Sequence, residues 1–513
     1  MKHILKISLL TFTVLLGACT DLEEQPFSEI FADEFYKTEA EFEAAQATVY
    51  STMSILSDWR LEGLDMESDA IAIPQRGNAW GYDGFKQFER HRILSTEQRM
   101  MGSFWAGLYK GIMTANATLE TFSLAEQSDL NALYSAETRL LRALFYMYLI
   151  DMWGDVPLVT ASRVETTNLA GRESRSVVFD FIESELLEVA QVIPSRGESD
   201  ALPFPRVTKE TAHALLATLY LNAEIWKGQA MLDECVEQCD KILKNGNYGL
   251  VDNYFDLFKV KNEDASREIL LYLDIEAGIT NGNLPTVNRS LTDTYIKDLY
   301  PSFPSKGQNG MCVQPYFYNM MDDDDIRKSE GLLAGLVIGK NGEPLKESGQ
   351  EINHKVEFDY WDAGLFDGVR ITKWEVDMGA IGIFNSHGVP LIRLADIMLQ
   401  KAEALIRKSG PNAVSDDLIN QVRARVFDPA LHSEKLRSGY TLEAVYWERG
   451  FELLSEGHRR RDMVRFGTFT EASKDLKGDG SPWYEAHSAD YILWPIPQGD
   501  MDANPNLKQN EGY

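Results

Sequence analysis

The densest set of potentially reactive side chains lies at 441–466, TLEAVYWERGFELLSEGHRRRDMVRF. Leu442, Tyr446 and Leu453, with Trp447, Phe451 and Leu454, recur at three- and four-residue spacings. Two adjoining apolar stripes then give a helix little exposed surface. Glu448, Arg449, Glu452 and Glu456 ride on the same turns, and buried charges persist only when paired and hydrogen-bonded. Residues four apart share a helix face, so Glu452 and Glu456 have the spacing of an acid/base pair. Nearby arginines, however, lower carboxylate pKa values and remove the proton that a general acid needs. The expected arrangement is a structural charge cluster. Gly457 ends the helix, and Arg459, Arg460 and Arg465 fold back onto the carboxylates.

Other catalytic signatures are absent from the sequence: no GxSxG elbow, HExxH helix, P-loop or dinucleotide fingerprint occurs. A glycosidase built on two carboxylates far apart in the chain, needing roughly 5–10 Å between them, is left open by the 79 acidic residues. DDDDIRKSE, beginning at Asp322, resembles a calcium loop, but Arg327 stands at the sixth position, where such a loop needs glycine. A solvated acidic turn is expected there. His213 reads as core, while His387 and His487 lie in loops without a second ligand nearby. Cys235 and Cys239 share a helix face and read as packed thiols. Neither metal nor cofactor is expected.

The aromatic loops offer better chemistry. A sugar presents a face of C–H bonds that a flat ring can cover while amides and carboxylates bond its hydroxyls. GNAWGYDGF supplies Trp80 and Tyr82 as rings, Asn78 and Asp83 as polar partners, and Gly77, Gly81 and Gly84 to expose them. We expect an exposed platform at Trp80. A second aromatic stretch contributes Tyr316, Tyr318, Tyr360 and Trp361 as further candidates. The formal charge of -29 repels nucleic acid and anionic lipid, so uncharged or cationic ligands fit better.

Helical elements must carry these loops. Periodicity predicts helices at 39–56, 104–122, 130–153, 177–193, 208–226, 229–243, 391–406 and 415–425. Small residues such as Ala214, Ala217, Ala402 and Ala404 sit where helices would meet closely, as in a stack of helical hairpins. The pattern is interrupted at 58–103 and 246–388, rich in Gly, Asn, Asp and Pro. Loops on a rigid scaffold are where binding is usually placed. At the start, Lys2 and Lys6 precede an apolar run too short to span a bilayer, which reads as a signal peptide at 1–18. Leu16-Gly17-Ala18-Cys19 looks like a bacterial lipobox, so Cys19 is the expected lipid-attachment residue. An acidic linker at 19–36 follows.

ERGFELLSEGHRRRDMVRFG and YILWPIPQGDMDANPNLKQNEGY, with TRLLRALFYMYLIDMWGDVPLV and PLIRLADIMLQKAEAL, resemble the SusD/RagB family of Bacteroidetes outer-membrane nutrient-binding lipoproteins. The resemblance spans essentially the mature chain. It implies a mainly α fold, in which tetratricopeptide-like helical hairpins form one domain at 37–513, carry loop-rich, short-strand ligand-binding regions, and close with 467–513. It further implies a non-enzymatic, surface-facing lipoprotein that binds oligosaccharide and delivers it to a SusC-like TonB-dependent transporter barrel. Asp21, Glu23 and Glu24 resemble that phylum's acidic export tag. RagB-like members handle peptides, so a peptide-binding subunit is the alternative. Family ligand contacts sit in variable loops, and no binding residue is carried over by motif.

Overall fold

Helices with two apolar stripes must be covered on two sides, and here each is covered by its neighbours in the chain. The computed structural model describes residues 38–59, 64–77, 79–163, 169–198, 204–279, 289–382 and 384–513. Cys19 and the rest of the leader and linker, and Asn78, lie outside them. The scaffold comprises α1 (Glu39–Thr52), α2 (Ser103–Leu124), α3 (Asp129–Trp153), α4 (Arg175–Val189), α5 (Lys209–Leu221), α6 (Leu232–Leu243), α7 (Leu394–Ser409) and α8 (Ala413–Ala424), each packed on the next. The protein is therefore mainly helical, with few short strands.

Local chemistry sets the spacing. At Gly111 of α2 a Cβ would collide with the Phe145 ring of α3, so glycine permits the close approach. Arg142 of α3 then reaches both neighbours, donating to Asn116 Oδ1 of α2 (2.8 Å) and Glu185 Oε2 of α4 (2.6 Å). The Ser128 side chain caps α3 by accepting from the Asn131 N–H, and Gly154 at φ 73° stops it. The C-terminal segment closes this end: the Trp494 N–H donates to Met152 O, and its ring stands edge-on to Trp153 at 5.2 Å.

Two expected helices differ. Residues 391–393 belong to a strand, because GVPLIR is buried on both faces and needs no alternation. β1 (Ile71–Ala72), β2 (Ile269–Asp274), β3 (Cys312–Val313) and β4 (Gly388–Arg393) form two antiparallel pairs. Gly388 lies opposite Asp274, and Ile71 opposite Val313. β4 leads directly into α7. The stretch 441–466 is likewise two helices, α9 (Leu442–Glu452) and α10 (Arg459–Phe466). Its break precedes Gly457, at a turn with Ser455 at φ 58° and Gly457 at φ 73°. The β1–β3 pair ties the excursion between α1 and α2 to the one between α6 and β4.

Candidate functional site

The charge cluster is buried and paired, but its partners are not the expected ones. Arg393 of β4 donates to Glu268 (2.9 Å), Glu452 (2.9 Å) and Glu456 (2.8 Å). Arg327 binds Asp325, Glu448 and Glu452; Arg425 binds Glu268 and Glu452; Arg423 binds Glu448; Lys373 binds Glu456 at 2.6 Å. Arg459 instead pairs with Asp69, Arg460 with Glu67, and Arg465 with Glu403 and Asp462, while Arg449 holds Asp396 and Asp462. The turn at 453–457 explains this, because it sends α10 away from the outer carboxylates of α9. Burial alone would raise Glu452 and Glu456. Arg425, Arg393 and Arg327 around the first, and Arg393 and Lys373 around the second, overcome it and hold both at about 2. Neither carboxyl has accessible surface or a proton to give, so the acid/base geometry is structural.

The loop cluster is built around Arg76. Its guanidinium donates to Gly364 O (2.9 Å) and Gly310 O (3.3 Å), while its backbone pairs with Ala79, bringing 76–82, 308–312 and 361–370 together. Trp80 stands here at φ 59°, a conformation rare and costly for a bulky residue. Its indole lies on Gly310, where any Cβ would collide with it, and Nε1–H donates to Gln308 O at 3.0 Å. The ring is half-buried, with Phe85 tilted against it at 5.7 Å. It is therefore a clamped ring with a partly open surface, not the freely exposed platform expected. Gly84 exposes nothing: it opens room for the Tyr82 ring within the short helix Asp83–Glu89. The Tyr82 hydroxyl donates to Glu97 at 2.6 Å; burial and that carboxylate push it up to about 12. Asp83 is exposed on the first turn and accepts from Gln87.

Trp361 lies at the other end of that helix. Its Nε1–H donates to Trp483 O (3.0 Å), and the Arg90 guanidinium covers its ring at 4.2 Å. Trp80 packs on Phe85 near the start of this helix and Trp361 on Arg90 just past its end. Tyr360 is 1% exposed among Phe358, Trp483 and Ala72. It supports Trp361 and cannot meet a ligand, which corrects its candidacy. Tyr316 and Tyr318, on the short helix Pro315–Met320, turn toward α9 and the charge network. Tyr316 packs on Trp447, its N–H held by Asp475, and Tyr318 lies under Lys328 Nζ at 4.5 Å.

Every carboxylate of the acidic turn has a cationic partner: Asp322 and Asp324 share Lys435, Asp323 meets Lys328 and Asp325 meets Arg327. The turn is solvated, as expected, at Asp322, Asp323 and Asp324, and ion-paired throughout, with only Asp325 buried. Among the described residues no group of His, Cys, Asp and Glu could hold a metal. His213 bonds Gln238, and His387 donates to Glu375 O. His487 is not isolated: its Nε2 lies 2.8 Å from Nδ1 of buried His91. Cys235, Cys239 and Cys312 are free and buried.

Sequence reasoning missed Arg76, Arg90, Gly310 and Glu89. Gly310 follows Asn309, and Asn-Gly flags a turn, but nothing local says that an indole rests on it. Glu89 is 2% exposed with neither carboxyl oxygen hydrogen-bonded, and burial and Asp475 push it well up. Asp475 is itself raised to about 7 by burial, with Glu357 and Asp69 adding to the shift and the Tyr316 N–H opposing it.

Two family models match this chain: the SusD family over residues 364–513 and "Starch-binding associating with outer membrane" over 65–221. SusD-like protein P25 of Formosa agariphila is 26% identical, over 99% of both chains. Starch-binding protein SusD of Bacteroides thetaiotaomicron is 29% identical, over 74% of this chain and 72% of its own. Among solved structures, a laminarin-binding SusD-like protein superimposes with a TM-score of 0.74 at 25% identity, over 93% of this chain and all (100%) of that one.

Proposed function

We propose, because this chain belongs to the SusD-like family, that it binds oligosaccharide at the Trp80–Trp361 loop cluster and hands it, uncleaved, to a SusC-like TonB-dependent transporter. Trp80 carries the reading. An indole held at φ 59° and fixed through both Gly310 and Gln308 O is strain spent on presenting a ring, and such strain concentrates at ligand sites. Trp361, under Arg90, is the second ring of the same loop cluster. Related proteins named for starch and laminarin binding support a glucan as the first ligand to try.

The delivery role rests on Cys19 as lipid anchor at the outer membrane, facing the exterior. No helix among the described residues is long and apolar enough to cross a membrane, so transport would fall to a partner barrel. The 37–513 body acts as one unit in this scheme.

Calorimetry of the purified protein against starch, laminarin, other polysaccharides and a peptide pool tests the reading. Saturable glycan binding weakened by Trp80→Ala supports it. Heat from peptides alone would transfer the site to peptide uptake, and new reducing ends in the same mixtures would make the protein a glycosidase.

A further inference from the structure

A cavity of about 410 Å3 opens between α1, the start of α3, the segment at Pro205–Arg206 and the end of β2. It shares no lining residue with the Trp80–Trp361 cluster. Its size falls within the roughly 300–1,000 Å3 typical of small-molecule sites. Tyr50, Tyr134 and Tyr272 form much of its wall, and all three hydroxyls are already engaged: Tyr50 donates to Glu137, Tyr134 accepts from Arg206, and Tyr272 donates to Asn262. Tyr50 and Tyr272 thus offer the cavity ring surface rather than hydroxyl donors, whereas Tyr134 keeps its O–H proton and already carries the Arg206 guanidinium over its ring at 4.6 Å.

Charge around the cavity is lopsided. Arg206 is the one cationic lining residue among the described residues, and Glu137 already neutralises it through Nη2 and Nε. The two acidic lining residues, Glu43 on α1 and Asp274 at the end of β2, are exposed and have no ion pair or hydrogen-bond partner among the described residues. They approach from different elements, so the mouth has a carboxylate on each of two sides. Partial burial of the carboxyl raises Asp274, and Glu276 and Glu263 nearby add to the shift.

Among the described residues the cavity is walled by aromatic rings and carries free carboxylates but no free cation, which favours a cationic ligand. We propose that it binds a small organic cation, an ammonium group on an aromatic or aliphatic body, with the body among Tyr50, Tyr134 and Tyr272 and the charge shared by Glu43 and Asp274. Cation–π attraction to the rings and charge-assisted hydrogen bonds to the carboxylates would act on the same group. An anionic ligand of the same shape would meet both carboxylates unfavourably.

Two indoles of opposite charge, tryptamine and indole-3-propionate, isolate this chemistry in calorimetric titrations of the purified protein at low salt. Tryptamine should bind saturably at one site and at least tenfold tighter than the anion. Glu43→Gln with Asp274→Asn should weaken tryptamine at least tenfold, and Ala47→Trp, which fills the cavity from α1, should abolish it. All three positions are exposed, so melting should stay near wild type, and glycan binding should be unchanged. Equal affinity for the two indoles, tryptamine binding indifferent to the paired substitution, or no saturable binding would each overturn the proposal.

Discussion

Trp80 combines an unfavourable backbone with a specific contact, and the two separate by mutation. Trp80→Ala removes the ring but keeps a Cβ at φ 59°. Glycan affinity should fall about five- to more than a hundredfold, corresponding to about 1–3 kcal/mol for a central aromatic. Trp80→Gly should lose the same affinity yet be more stable than the alanine variant by about 1 kcal/mol, since glycine carries no left-handed penalty. Urea unfolding of the pair checks this; equal midpoints would mean the strain is absent. Gly310→Ala should weaken binding with every ring retained, because its Cβ displaces the indole. The chemistry of GNAWGYDGF was legible in the sequence as aromatic and polar groups in one loop. That Trp80 itself takes the positive φ was not, since glycines flank it and would ordinarily absorb such a turn. Nor could Tyr360 be told from Trp361, because their difference in burial depends on Phe358 and Trp483.

At the scale of elements, opposite pH responses are built into two contacts. Glu452 and Glu456 have folded pKa values near 2, below the ordinary 4.5. Their contribution is therefore present above the ordinary carboxylate range and is lost as pH falls toward 2. For Glu452 alone it amounts to about 3 kcal/mol. Glu452→Gln should cost about 3–5 kcal/mol at neutral pH, since Arg327, Arg393 and Arg425 lose a buried counter-charge, and should flatten the acid limb of a stability profile. Glu89 and Asp475 work the other way. Their pKa values are raised, so the fold favours the protonated forms, and stability contributed at low pH is lost as pH rises through about 7 for Asp475. Glu89→Gln should thus gain stability over wild type as denaturant titrations move from below the ordinary carboxylate range into the alkaline; a difference constant with pH would refute this. Helix periodicity made α1 to α8 legible, because a packed stack repeats the same demand on each face. The network was half legible: buried charge was evident in 441–466, but Arg393 lay in a strand read as helix and Arg327 in a turn read as acidic. Charge partners are chosen in three dimensions, and spacing along one helix does not disclose them.

For the whole molecule, attachment and partnership are tested on membranes. Cys19→Ala should leave thermal unfolding unchanged and move the protein from the detergent to the aqueous phase; unchanged partitioning would assign the anchor elsewhere. A large β-barrel protein should co-purify with the wild type in mild detergent, and repeated recovery of this protein alone would count against delivery to a transporter.

The ion pairs of α9 and α10 also bear on the order in which the chain can mature. Arg459 meets Asp69 across 390 residues and Arg460 meets Glu67 across 393, while Arg393 and Arg327 draw carboxylates from α9. A polypeptide emerging from its N-terminus therefore presents its helical stack long before the groups that neutralise the buried cations and anions arrive. Contacts of such long range form slowly, and the incomplete stack carries uncompensated charge that resists premature burial. In that order α9 and α10 serve as a keystone, pairing with Asp69, Glu67, Arg327 and Arg393 only after the elements that carry those residues have been made.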